Sequence, residues 1–267
     1  MAGVAATLAL ACAGPGGSSA GAPGRVASVS EAEWRSLATP RPAFLPGAVR
    51  LSVADVELLA EPAWGARAAV PARLGLAELV AAGLLRRADV HFVERRRFAA
   101  AVDAERSGAP RPAGAPAAGV SPGAELSASV TWLPVGGGRA SLEVRLVATA
   151  SGAVAGARRT TVPEDADPVG LARVTVATIL VALAELGRLP TWSDLIAAAA
   201  PAEYVASGVA AVAVEGFFEG LAAEEAWSWE RAREAYQAAA ATGAFFEASA
   251  ALARAARLRL GGTLGEG

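Results

Sequence analysis

Glu125-Leu126-Ser127-Ala128-Ser129-Val130-Thr131-Trp132 alternates polar with apolar side chains at every step, and Leu133 closes the run. A strand turns successive side chains to opposite faces, so this spacing predicts a strand with one face in a core and the other toward water. Two more runs of the same kind follow, 140–149 and 154–162. Gly136-Gly137-Gly138 separates the first pair and Ala150-Ser151-Gly152 the second. Connections this short and glycine-rich join antiparallel neighbours, and the three runs predict a meander with tight turns.

Working outward toward the N-terminus, Val49-Arg50-Leu51-Ser52-Val53-Ala54-Asp55-Val56-Glu57-Leu58 is apolar at period two and predicts the first strand of the domain. A loop with Pro62 and Trp64 follows, then a helix from near Pro71 that turns Leu74, Leu76, Leu79, Val80 and Leu84 to a core. Residues 90–94 predict a second strand and 98–106 a second helix. The stretch 107–123 is Pro, Gly and Ala without periodicity, which predicts a flexible excursion. Beyond the meander, Glu164, Asp165 and Asp167 form an acidic turn that caps an apolar helix over 169–186; Gly187 supplies its left-handed stop. The order strand-helix-strand-helix-three strands-helix predicts an α/β (α+β) domain over 48–190, a mixed sheet covered by helices. From residue 202 the pattern is helical only, with helices expected over 206–226, 229–241 and 246–260. This predicts a small all-α domain over 191–262, with a fraying tail after it.

The one cysteine, Cys12, directly follows Leu8-Ala9-Leu10-Ala11 and precedes a Gly/Ser/Pro-rich stretch over 13–24. The arrangement resembles a bacterial lipoprotein signal. That resemblance implies a signal segment over 1–12, a lipid on Cys12, and a tether with a short helix over 13–47. An ordinary secretory signal and a cytosolic start are the other readings of the same residues. Ser30-Glu31-Ala32-Glu33 has the spacing of a capping box for that short helix.

Composition excludes several functions. Net charge is -2, all 24 basic residues are arginine, and acidic neighbours interrupt the clusters at 86–87 and 95–97. A nucleic-acid partner needs a basic face that releases counterions, so none is expected. The apolar runs 171–186 and 196–214 are each too short or too interrupted to span a membrane and read as core helices. No nucleophile with a base, no metal-ligand cluster and no phosphate loop is visible, so no catalytic residue, metal or cofactor is expected. His91, the single histidine, reads as an edge-strand residue, and Gly136-Gly137-Gly138 joins two strands rather than opening a helix.

Val90-His91-Phe92-Val93-Glu94-Arg95-Arg96-Arg97-Phe98, then Gly123-Ala124-Glu125-Leu126, then Val144-Arg145-Leu146-Val147-Ala148-Thr149-Ala150-Ser151-Gly152 occur in an order that resembles the CsgG-like and TolB-N-terminal-like lipoprotein domains of bacterial envelopes. The resemblance covers roughly half of the chain. It departs from the family in the 107–123 excursion, where a helix is usual, and in the Trp64 loop. Pore-forming members insert long lipid-facing hairpins. Here the alternating runs already serve the domain's own sheet, which favours a soluble accessory type over a secretion pore.

In the helical part, Gly220 on one helix, with Trp229, Ala232, Tyr236 and Ala239 on the next, resembles a tetratricopeptide repeat (TPR), a helix pair of about 34 residues. Small residues let two helices approach, and the aromatic ring fills the gap beneath them. Trp227 stands where the repeat usually has Gly, and Ala244 where it usually has Pro. A generic Ala-rich hairpin is the alternative. The two resemblances together imply a non-enzymatic lipoprotein of the cell envelope, facing the periplasm and anchored in the outer membrane through Cys12. It would act as an interaction or assembly module whose α/β domain docks a protein partner or forms a homo-oligomer. A subunit of a CsgG-type channel and an enzyme of unknown class are the competing readings.

Overall fold

In the computed structural model five strands form one mixed sheet: β1 (Val49–Leu58), β2 (Val90–Phe92), β3 (Leu126–Gly136), β4 (Arg139–Ala148) and β5 (Val154–Pro163), in the order β2-β1-β3-β4-β5. The structure describes residues 29–38, 43–93, 123–189 and 203–260. Cys12, the tether behind it, the helix expected over 98–106 and all but the last residue of the 107–123 excursion lie outside them. β1 pairs in parallel with both β2 and β3, while β3, β4 and β5 form the antiparallel meander.

The alternation read in the sequence sorts the two faces. Leu126, Ala128, Val130 and Trp132 on β3 and Ala140, Leu142, Val144 and Leu146 on β4 are buried, and the residues between them point the other way. That other face is polar. Glu57, Thr131, Glu143 and Arg159 stand opposite one another on four neighbouring strands, and Glu143 accepts hydrogen bonds from Arg145 and, at 2.7 Å, from Arg159. These two arginines hold the Glu143 carboxyl below the usual carboxylate range.

β1 departs from simple alternation. Its register with β3 shifts between Val53 and Val56, a β-bulge. Two residues there oppose one on the partner strand, so inward-facing positions change from odd to even numbers. Val49 and Leu51 are buried before the shift and Val56 after it.

Two helices lie side by side on the apolar face: α2 (Ala72–Leu84) over β1, and α3 (Pro168–Glu185) over β4 and β5. α3 is long and apolar enough to cross a membrane, but most of it is buried in the core. Its buried hydroxyls are satisfied internally, Thr175 donating to the Leu171 carbonyl and Thr178 to that of Val174. It stops in a Schellman motif: the Arg188 amide reaches the Leu183 carbonyl and the Gly187 amide that of Ala184, with Gly187 at φ +64°.

The remaining helices are α1 (Glu31–Leu37), α4 (Ala211–Glu225), α5 (Trp229–Ala240) and α6 (Phe246–Arg259). α1 carries the capping box, with the Ser30 hydroxyl and the Glu33 carboxylate satisfying each other's backbone amides. It buries Trp34 and lies against α6. α4, α5 and α6 pack in sequence, and α6 rests on α2, so one apolar core runs from the sheet through α2 and α3 into the helical part.

α4 begins at Ala211, five residues later than expected, and the cause is a polar anchor. Asp167 caps α3 by accepting from the Gly170 amide at 2.8 Å. It also takes hydrogen bonds from the Tyr204 hydroxyl at 2.8 Å and from the Ser207 amide and hydroxyl at 3.0 and 2.6 Å. Holding residues 204–207 this way competes with helix formation, and Gly208 at φ +68° turns the chain before α4 starts. His91 lies on the edge strand β2 with its ring stacked on Phe44 at 4.2 Å.

Candidate protein-binding site

Four of the residues singled out in the helical part, Gly220, Ala232, Tyr236 and Ala239, meet in one seam, and Trp229 lies outside it. Tyr236 on α5 is wholly buried, and its ring lies so close to Gly220 on α4 that a side chain there would begin 2.5 Å from the ring. Glycine is required at 220 because the ring occupies the space of a β-carbon. Ala232 and Ala239 lie one turn to either side of Tyr236, also buried, and keep the two backbones close. Trp229 opens α5 half-buried and meets the Trp227 ring edge-on at 5.6 Å.

Trp227 explains itself through the backbone. α4 ends in the same Schellman geometry as α3: the Ser228 amide reaches the Ala223 carbonyl and the Trp227 amide that of Glu224. The motif places its C′ residue in the left-handed region, and Trp227 sits there at φ +57°, the one non-glycine residue with positive φ among those described. A side chain in that region costs about 1–2 kcal/mol. Nevertheless the indole is largely exposed, at 61%.

Several residues that shape this part carried no mark in the sequence reading. Phe217 sits among Phe218, Tyr236 and Phe245, with ring centroids 5.4–5.8 Å away. Phe218 crosses to α2, where its ring leaves no room for a β-carbon on Gly75. Beside it lies a buried ionic junction. Arg254 of α6 pairs with Glu78 of α2 and, at 2.9 Å, with Glu224 of α4, and the Tyr236 hydroxyl donates to Glu224 at 2.9 Å. Burial, then the neighbouring Glu224 charge, pushes the Tyr236 hydroxyl well above its ordinary pKa. The signal for Arg254 was its position on the buried stripe with Ala251, Ala255 and Leu258: an arginine on an apolar helix face needs a carboxylate partner.

What this packing leaves outside is one face of α4. Val212, Glu215, Glu219, Ala222 and Ala226 recur every three or four residues and are exposed or half-exposed, with Trp227 at the end of the row. Among the described residues no three His, Cys, Asp or Glu side chains gather as a metal site. The acidic turn before α3 serves as its cap through Asp167.

No protein-family model matches the chain, and no curated protein matches it in sequence. Among solved structures the chain is similar to a PelC dodecamer from Paraburkholderia phytofirmans, at 16% identity and a TM-score of 0.26, over 55% of this chain and 94% of that one.

Proposed function

We propose that this protein is a non-enzymatic lipoprotein of the bacterial envelope, anchored through Cys12, in which a CsgG-like or TolB-N-terminal-like α/β domain carries a TPR-like helical end that binds a protein partner. The observation that carries the reading is the α4–α5 pair. Its inner seam, Gly220 against Tyr236, is fully occupied, while the outer row of α4 offers Val212, Glu215 and Glu219 with an exposed indole at its end. Two neighbouring carboxylates flanked by apolar residues fit a partner segment with basic residues flanked by apolar ones. The strained exposure of Trp227 favours the same surface, because backbone strain persists where something other than local stability retains it.

The test places a photo-cross-linking residue at position 219, or at 159 on the polar sheet face, in the full-length protein inside cells. Adducts should form at 219 and not at 159, disappear on Glu215→Arg, and leave thermal stability unchanged. In parallel, Cys12→Ser should move the protein out of the membrane fraction. Equal cross-linking at both positions refutes the helical binding face. A Cys12→Ser protein still in the membrane fraction refutes the lipid anchor, and a ring-sized particle by light scattering supports the channel-subunit reading instead.

A further inference from the structure

A separate feature lies where the helical part meets the α/β part. Along α2, Leu79, Gly83 and then Arg87 just past its end recur at intervals of four; along α3, Ala172, Val176 and Leu180 do the same, with Arg173 and Ala177 beside them. These two stripes face each other. At Gly83 the helices touch, a β-carbon there falling 3.0 Å from Val176, and beside that contact the small Ala172 and Ala177 leave a cleft of about 260 Å³, bordered by Phe246 and Glu247 at the start of α6. Its floor is apolar: Leu79, Ala172 and Leu180 are buried there. Clefts between structural units, apolar within and carrying a few convergent polar groups, are where small ligands bind.

The mouth is cationic. Arg173 donates through Nε and Nη2 to Glu247, at 2.8 and 3.0 Å, and through Nη2 to the Ala244 carbonyl. Arg87 donates through Nε and Nη2 to Asp89. Each therefore keeps an Nη1 group with no protein partner among the described residues. The Phe246 ring lies under two guanidinium groups, Arg173 at 4.7 Å and Arg86 at 5.0 Å. Arg86 has no carboxylate within ion-pair distance among the described residues. Three guanidinium groups thus face two carboxylates, leaving one positive charge in surplus at the rim of an apolar cleft.

We propose that this cleft binds a single-chain amphiphile with a carboxylate head: the alkyl chain lies between α2 and α3 over Leu79, Ala172 and Leu180, and the head meets Arg173 and Arg87 at the mouth. With both forks engaged by Glu247 and Asp89, the head accepts charge-assisted hydrogen bonds from the two remaining Nη1 groups, and the uncompensated charge of Arg86 nearby favours an anion there. A ligand seated there touches α2, α3 and α6 at once and so braces the helical part against the sheet unit.

Decanoate, kept below its micelle concentration, is the probe, titrated into the full-length protein by calorimetry. One-to-one binding is expected, at least about tenfold tighter than acetate or decyltrimethylammonium, a difference of about 1.4 kcal/mol. Ala177→Phe should fill the cleft and weaken decanoate about tenfold or more, and Arg173→Gln should erase the preference for decanoate over the ammonium amphiphile. In the wild type, decanoate should slow hydrogen exchange in α2, α3 and the first turn of α6, a readout that does not depend on either variant folding. Absence of one-to-one binding, equal binding of the cationic amphiphile, or protection elsewhere in the chain would overturn the proposal.

Discussion

Tyr236 shows how much one side chain decides. Its ring is the filler between two helices whose facing residues are Gly220, Ala232 and Ala239, none of which reaches into the space the ring would vacate. Tyr236→Ala should therefore cost about 3–5 kcal/mol, the range for truncating a large buried aromatic in a core that cannot collapse. Gly220→Ala attacks the same contact from the other side. Its methyl would start 2.5 Å from the ring, so the ring must move, at about 1–3 kcal/mol for overpacking. Urea unfolding of the two variants checks both figures. If Tyr236→Ala unfolds at the wild-type midpoint, the seam is not what holds α4 to α5.

At the scale of elements, Asp167 ties the start of α3 to the segment that precedes α4, and it does so as an anion. Burial alone would raise its pKa. Hydrogen bonds from Ser207, the Gly170 amide and Tyr204 outweigh that and hold it below the ordinary aspartate value. A carboxylate with a lowered folded-state pKa stabilises the protein fully above its unfolded value, about 3.9, and this contribution is lost as pH falls through the lowered value. Asp167→Asn should thus be less stable than wild type at pH 7, since an amide oxygen cannot accept from all four donors, and the gap should narrow as the pH falls below the unfolded value. Paired urea titrations at pH 7 and pH 3 measure it, and a gap that is constant or widens at low pH contradicts the anionic role. The elements themselves were largely legible. Period-two alternation marks β3 and β4, and Gly187 marks the end of α3. The bulge in β1 departs from the plain period-two alternation expected over 49–58, although the apolar positions 49, 51 and 53 do resume at 56 and 58. The late start of α4 was not legible, because residues 206–210 hold no intrinsic helix barrier except Gly208, and what unwinds them is a carboxylate some 40 positions earlier in the chain. The outward row of α4 and the cleft between α2 and α3 were likewise hidden, since each depends on which helices become neighbours.

For the whole molecule the question is whether the helical part and the sheet unit unfold together. Their apolar core is continuous, and the Arg254 junction crosses the boundary, with Glu78 on α2 and Glu224 on α4 both nearly buried around one guanidinium. A buried ion pair gains little over well-packed apolar residues, but removing one partner leaves charge stranded where water cannot reach it. Arg254→Met should therefore cost about 3–5 kcal/mol and leave two buried carboxylates facing each other. Replacing these four groups together, Glu78→Leu, Glu224→Leu and Arg254→Met with Tyr236→Phe, removes the charges that the single change strands and should recover most of that loss. Calorimetry distinguishes the outcomes: wild type and the fourfold variant should each unfold in one transition, with Arg254→Met melting well below both. If Arg254→Met melts with the wild type, the junction is wetter than its burial implies. If instead the fourfold variant is as weak as Arg254→Met, the ionic groups do more than compensate one another, and the placement of α4 and α6 on α2 depends on their directed hydrogen bonds more than on apolar packing such as that of Phe218 over Gly75.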